Sequence, residues 1–424
     1  MCNQSLLRVL ITTLSFVSVG MTASSDYKVG TWANFSKSAV THTFDDGTKK
    51  QFSVAMPLFD TFGFKMTFAT VTSGGMFPGW DVLIDAFNKG HEIASHSVTH
   101  VGTVNEDEMK KSQEMIRKNV PGEKCISMIY PFCQVPSDAA VKKYYEAGRV
   151  CGSGPEGPTP GNFIRIASLI VGEGGANTDL NAYADLAEKK NGWAVYLHHG
   201  VDGDHNWADT KSAALKEHLN YLAENSGKFW VETFGNVIRY IKERNNATIT
   251  ESSVVTNRIT LKITDNLSDE IYRYPLTIRR SVPQEWWDDE LDVFQGDREM
   301  QHSMITESSK KYIQFQAIPD GGDVVISNGG TPVRYGFTQT SNSGSNFVRF
   351  SHNECILYSG QFETTIMSVD FYNLNGQLLA KYTINTKHGS TSHIALTKEI
   401  RQAPFVLKIS DGRALNLIMM VSPR

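Results

Sequence analysis

Two histidines and two aspartates are the residues of this chain best suited to act together chemically. His96 and His100 stand four apart in Ser95-His96-Ser97-Val98-Thr99-His100, downstream of the acidic pair in Thr43-Phe44-Asp45-Asp46-Gly47. A spacing of four is about one helical turn, so both imidazoles are expected to point to one place. Two neutral imidazoles and one carboxylate make the mixed nitrogen and oxygen ligand set of a hydrolytic zinc site, with positions left open for water and substrate. The second carboxylate is then free to move protons.

The elements that must position these groups follow from the apolar periodicity. From about Lys28 to Asn246, short apolar strands alternate with amphipathic helices. Strands are expected at Ser38 to Phe44, Lys65 to Val71, Glu92 to Ser95, Ser127 to Tyr130, Phe163 to Val171 and Trp193 to His198. The helices between them are expected at Phe52 to Phe62, Val82 to Lys89, Asn105 to Lys118, Ser137 to Ala147 and Leu180 to Lys190. Helices Ala208 to Glu224 and Glu232 to Arg244 close the unit, with Lys228 to Val231 between them. Repeated β–α order argues for a parallel sheet or barrel. Asp45, Asp46, His96, Phe132 and His199 then fall at the C-terminal ends of strands, the rim where such barrels assemble their sites.

After about Ala247 the texture changes to short alternating runs broken by Gly, Asn, Asp and Pro, such as Ile259-Thr260-Leu261-Lys262-Ile263. These are strand signals without helices. The expected architecture is therefore an α/β barrel over residues 24–247, followed by one or two small all-β sandwich modules at 248–330 and 331–424.

The 424 residues carry 41 Lys+Arg against 45 Asp+Glu, a net charge of -4, with no basic stripe to suggest nucleic acid or an anionic membrane. Arg8 and the apolar run Val9 to Val19, followed by Thr22, Ala23 and Ser24, read as a signal peptide over residues 1–23. This predicts a secreted or surface protein, and no other segment is apolar enough to cross a membrane. Export makes disulfides possible. Cys125–Cys133 and Cys133–Cys151 are the candidate bridges; free buried thiols are the alternative, and Cys355 lies far away.

With the residues laid out, Lys28 to Asn246 resembles the polysaccharide deacetylases of the NodB homology domain, carbohydrate esterase family 4. Thr43-Phe44-Asp45-Asp46-Gly47 matches that family's T-F-D-D-G, and His96-Ser97-Val98-Thr99-His100 matches its H-S/T-x-x-x/T-H motif. The resemblance implies a distorted (β/α) barrel and removal of acetyl groups from a polysaccharide or oligosaccharide, either N-acetyl as in chitin-like glycans or O-acetyl as in acetylxylan. It implies a divalent metal, zinc first and cobalt or another transition metal as alternatives, held by Asp46, His96 and His100. Asp45 would be the general base. In Leu197-His198-His199-Gly200-Val201, similar to the family's L-x-H motif, His199 would be the acid and His198 would point to the other side of the strand.

The chain departs from the family in two places. The family's R-x-P-Y motif appears as Ile129-Tyr130-Pro131-Phe132, so Phe132 N–H remains a candidate oxyanion donor while the bracing arginine is replaced by Ile129. Arg149 is a candidate to reach in from another strand, with a surface arginine the alternative reading. No clean D-x-x-D-W motif lies between Cys151 and Glu173. A deacetylase-like barrel that binds glycans without turnover, as a surface protein, is the rival reading of these departures.

Other residues invite plainer readings. Trp80 and Trp207 are candidate stacking platforms for pyranose rings, with apolar burial the alternative. His42 reads as a barrel-wall residue, His91 as a structural one, and His205 as part of an exposed loop. Trp286 and Trp287 read as packed core, and Glu232 as a first-turn helix charge. Val369 to Leu378 and Phe405 to Gly412 resemble the β-sandwich sorting tails of type 9-like secretion systems; an accessory sandwich is the alternative.

Overall fold

The computed structural model describes residues 26–328 except 153, 175, 205, 206 and 256, and beyond them 333–337, 346–350, 354–359, 365–373, 375, 377–386, 390–397, 400, 405–410 and 415–421. The leader, His205 and the module boundary expected between residues 330 and 331 lie outside the described residues, and the sorting-tail segments fall there in part.

Strand β1 (Tyr27–Val29) precedes the barrel. The barrel strands are β2 (Ser38–Asp45), β3 (Thr67–Thr70), β4 (Glu92–Ser95), β5 (Ser127–Ile129), β6 (Ala147–Cys151), β7 (Ile166–Ile170) and β8 (Trp193–His198). They pair in parallel, each with the next in sequence, and β2 pairs β8 from Ala39↔Trp193 to Phe44↔His198 to close the ring. Two short parallel strands, β9 (Gly200–Val201) and β10 (Asp209–Thr210), extend the rim after β8. Strand β11 (Phe229–Val231) pairs with the first half of β2, whose last residues pair β3. Every residue of β2 is buried, as a strand covered on both faces requires.

The helices wrap this wall: α1 (Met56–Thr61), α2 (Trp80–Asn88), α3 (Glu106–Asn119), α4 (Asp138–Val141), α5 (Leu180–Lys189), α6 (Ser212–Glu224) and α7 (Phe234–Asn246). Helix α3 shows why they start where they do. The Asn105 side chain accepts the Glu108 N–H at its N-terminus, acidic residues fill its first turn, and Arg117 and Lys118 fill its last. The helix expected over Phe52 to Phe62 is instead a wide π turn, Gln51–Ala55, running into α1 at Pro57. The helix expected to reach Ala147 ends at Val141, and Ala147–Cys151 is a strand, β6. Gly148 lets it pack, because a Cβ there would run into the Tyr130 hydroxyl.

Two sheets follow the barrel. One orders Tyr27–Val29, Leu276–Ser281, Lys310–Ala317 and His302–Glu307; the other orders Thr248–Val255, Arg258–Thr264, Val324–Asn328, Leu291–Gln295 and Arg298–Glu299. Residues 27–29, expected with the barrel, therefore complete the first sandwich sheet by antiparallel pairing with 278–280. Trp286 is buried in a core that also holds Trp32, Trp193 and Tyr240, so the barrel floor and the sandwich share one apolar interior; Trp287 packs against it. Glu232 precedes α7, whose cap is Thr233, and accepts the Tyr274 hydroxyl at 2.8 Å across this junction. The last described strands form two four-stranded antiparallel sheets.

Between the barrel wall and α6 lie three buried histidines. His42 Nδ1 is 3.0 Å from His198 Nε2, His198 Nδ1 is 2.8 Å from Thr210 Oγ1, and His218 Nδ1 is 2.6 Å from Asn181 Oδ1. Burial, with the neighbouring rings adding, holds His42 and His198 well below the usual imidazole range; burial takes His218 to about 3. The unfolded chain takes up these protons near pH 6.5 and the folded one does not. Their contribution to stability is therefore full above pH 6.5 and falls as pH drops towards the folded values. Urea unfolding at pH 5 against pH 7 is expected to show a loss of about 2 kcal/mol for each ring. Equal stability at the two pH values would show that the trio does not titrate on unfolding.

Candidate metal centre

The acidic pair ends β2 where the chain leaves the barrel wall. Asp46 has φ 73° and Gly47 φ 66°, two consecutive left-handed residues. Gly47 is required there twice over, by its φ and because a Cβ would stand 2.8 Å from Met76 O. The turn sends Asp45 and Asp46 into one cleft. Gln51 fixes it, its Nε2 donating to Asp45 O at 2.5 Å and His199 O at 2.7 Å, which ties the ends of β2 and β8.

His96 and His100 lie on the loop after β4, not on a helix as their spacing suggested. Ser97 (φ 66°) and His100 (φ 58°) are left-handed, and this conformation turns both rings inward. Glu108 of α3 holds the loop: its Oε2 accepts Val98 N at 2.8 Å and Thr99 N at 3.0 Å, and its Oε1 accepts the Thr99 hydroxyl at 2.9 Å. Ser97 Oγ accepts His100 N at 3.0 Å. Nothing in the motif pattern marks Gln51 or Glu108; each acts through main-chain groups that only the folded loops present.

Asp46 Oδ1 stands 3.4 Å from His96 Nε2 and 3.3 Å from His100 Nε2. The ligand atoms of these three residues lie within 4.8 Å of one another, the one such His/Cys/Asp/Glu group among the described residues. His96 Nδ1 donates to Ile129 O at 2.8 Å, which leaves Nε2 as the atom facing the carboxylate. Burial works to raise the Asp46 carboxyl, but hydrogen bonds from His100 and His96 outweigh it and hold the group below the usual carboxylate range. Burial likewise works to lower His96, while Asp45, Asp46 and the Ile129 carbonyl outweigh it and raise the ring. Two imidazole nitrogens and a carboxylate oxygen at this spacing fit a divalent transition-metal ion.

Asp45 is braced from the far side of the barrel. Arg149 of β6 is 1% exposed, and its Nη2 donates to Asp45 Oδ2 at 2.5 Å. Its Nη1 donates to Ser168 Oγ at 3.3 Å. Ile129, one strand over and paired with Arg149, has no charge to offer. Asp45 Oδ1 is buried and has no hydrogen-bond partner. Asp45 Oδ2 is 4.0 Å from His96 Nε2.

The cleft above these groups has a volume of about 660 Å³ and opens to solvent past Phe132 and Trp207. His199 lines it, with Nε2 4.0 Å from Asp46 Oδ2. His198 points away into the buried trio. Trp207, 45% exposed, meets the His199 ring edge-on at 4.8 Å. Phe132, 64% exposed and left-handed at φ 53°, lies 4.6 Å from the His100 ring. Trp80 is not part of this wall: it packs edge-on against Phe77 at 4.8 Å and against the helical core, because it opens α2 on the outer layer. Cys133 and Cys151 form a disulfide that lines the cleft, while Cys125 and Cys355 are free and buried.

Residues 33–148 match the family model described as polysaccharide deacetylase. That segment contains Asp45, Asp46, His96, His100 and Phe132. The chain is 26% identical over 332 residues to a gellan lyase of a Bacillus species, a match covering 71% of this chain and 13% of that protein. The chain thus spans about an eighth of the length of that relative. Among solved structures, the carbohydrate esterase family 4 domain of a multidomain xylanase from the hindgut metagenome of Trinervitermes trinervoides is 20% identical, with 49% of this chain and 91% of that one covered and a TM-score of 0.34. The Puue allantoinase is 11% identical, with 54% and 97% covered and a TM-score of 0.40. No helix among the described residues is long and apolar enough to cross a membrane.

Proposed function

We propose that this chain is a metal-dependent deacetylase of carbohydrate, hydrolysing N-acetyl or O-acetyl groups on a polysaccharide or oligosaccharide outside the cell. The observation that carries the reading is the position of Asp45: a buried carboxylate held on one oxygen by Arg149, its other oxygen unpartnered, beside the Asp46, His96 and His100 cluster. A glycan-binding surface protein has no use for a braced, desolvated base at that place. The match over residues 33–148 supports the same reading.

When bound at Asp46, His96 and His100, a divalent ion, zinc or cobalt by its donors, acidifies a water and polarises an acetyl carbonyl. Asp45 Oδ1 accepts the proton of the attacking water as its oxygen bonds to the carbonyl carbon. Phe132 N–H donates to the oxyanion that forms. His199 then gives a proton to the departing sugar amine or hydroxyl as the carbon–nitrogen or carbon–oxygen bond breaks, and acetate leaves. Trp207 and Phe132 offer apolar faces to a pyranose ring at the mouth. Residues 1–23 would export the chain, and the C-terminal sandwich would serve sorting or attachment.

The test is acetate release from acetylxylan and from chitooligosaccharides, with chelator and then with zinc or cobalt restored. Release that chelator abolishes and metal restores is expected from at least one polymer. No release from either, with metal bound, would favour the glycan-binding reading.

Arg149 supplies its own test. Arg149→Met keeps the volume but leaves Asp45 buried without its cation. It is expected to lower kcat by about 10²-fold through loss of orientation, and folding stability by about 3 kcal/mol. Arg149→Lys restores the charge without the planar fork and should recover only part of both. Steady-state kinetics and urea unfolding read the two effects, and a Met variant with wild-type kcat would remove Arg149 from the site.

A further inference from the structure

The ladder between β5 and β6 runs Ser127↔Ala147, Met128↔Gly148 and Ile129↔Arg149. It ends at a long hydrogen bond, Tyr130 N to Arg149 O at 3.4 Å. The next residue, Pro131, has no N–H to continue it. Phe132 and Cys133 then turn left-handed, at φ 53° and 57°, and carry the chain to the mouth of the cleft. At this point the two segments are joined covalently, Cys133 to Cys151, with Cα atoms 5.5 Å apart.

The bond joins two working parts. Cys133 directly follows Phe132, whose ring packs on His100. Cys151 lies two residues after Arg149 on the same short strand, and the Ser168 hydroxyl that accepts from Arg149 donates to Val150 O between them. Both cysteines are half-buried and line the cleft that holds Asp45 and Asp46. We propose that the Cys133–Cys151 disulfide is a positioning cross-link for turnover, fixing the Phe132 turn to the Arg149 strand in one frame. This rests on the deacetylase reading for its kinetic consequence alone.

A turn that matters only when the oxyanion forms affects kcat and leaves ground-state binding intact. The full chain is therefore assayed oxidised and after reduction by a trialkylphosphine, with thiol count, metal content and circular dichroism recorded alongside. Two additional thiols, a kcat lowered about 10- to 100-fold, and KM and acetate inhibition within about twofold are expected. The Cys133→Ser/Cys151→Ser double variant should show the lower kcat from the start and no response to phosphine. Amide exchange read by mass spectrometry at residues 130–134 and 147–151 is independent of turnover and should quicken on reduction. Unchanged kcat with both thiols free would overturn the proposal, as would a fall that only follows loss of metal or folded protein. Unchanged exchange at those amides would overturn it even if the oxidised protein hydrolysed nothing, an outcome that separately sinks the deacetylase reading.

Discussion

Asp45→Asn is expected to bind its divalent ion as the wild type does and to lose turnover by about 10³-fold, the scale of a removed general base. The amide is nearly isosteric with the carboxylate, so Arg149 keeps an oxygen to donate to and the β2 turn keeps its shape. What disappears is an acceptor basic enough for the water's proton. The ligand atoms belong to Asp46, His96 and His100, so metal content should stay at the wild-type stoichiometry. Because the base acts in the chemical step, the loss belongs in kcat with KM nearly unchanged. Metal analysis beside steady-state acetate release decides it, and full activity in the variant would overturn the assignment of Asp45.

His96→Ala should abolish activity by a different route. Its ring is buried, held through Nδ1 by the Ile129 carbonyl, and contributes Nε2 to the donor cluster. Removing it takes away one of three ligands and leaves Asp46 buried with one fewer hydrogen-bond donor. The expected result is a metal affinity lowered at least 10- to 100-fold and acetate release lowered on the order of 10³-fold at limiting metal. Excess zinc should recover part of this, whereas it should do nothing for Asp45→Asn. That contrast separates the holder of the ion from the acceptor of the proton. A His96→Ala protein that keeps wild-type metal affinity would place the ion elsewhere.

The groups legible in the sequence are those whose placement is decided locally. Asp45 and Asp46 sit at the end of a strand buried on both faces, and His96 follows one directly, so alternation places them at the rim. His199 is separated from His198 by the same alternation. Groups that depend on barrel closure were not legible in the same way. Arg149 is only a candidate in the sequence, with a surface arginine the alternative, because no strand is marked at Ala147-Gly148-Arg149-Val150-Cys151: glycine and arginine are poor markers of a buried strand. Its burial makes sense only once Asp45 stands across the barrel as its partner. The histidine loop shows the converse error. A spacing of four suggested a helical turn, yet left-handed Ser97 and His100, pinned by Glu108, bring the rings together without one. Trp80 and Trp207 are the same residue type with opposite fates, set by whether the chain around them faces the helical layer or the rim. Tyr27 to Val29 could not be placed from its neighbours, since its partner strand is about 250 residues away.

The most direct test is a crystal of the full chain soaked in zinc or cobalt and recorded above and below the metal's absorption edge. The expected result is a single strong anomalous peak about 2.0–2.2 Å from a carboxylate oxygen of Asp46 and from Nε2 of His96 and His100, with Asp45 outside the ligand set. A peak ligated by Asp45 in place of Asp46, or no peak between the two imidazoles at saturating metal, would contradict the account.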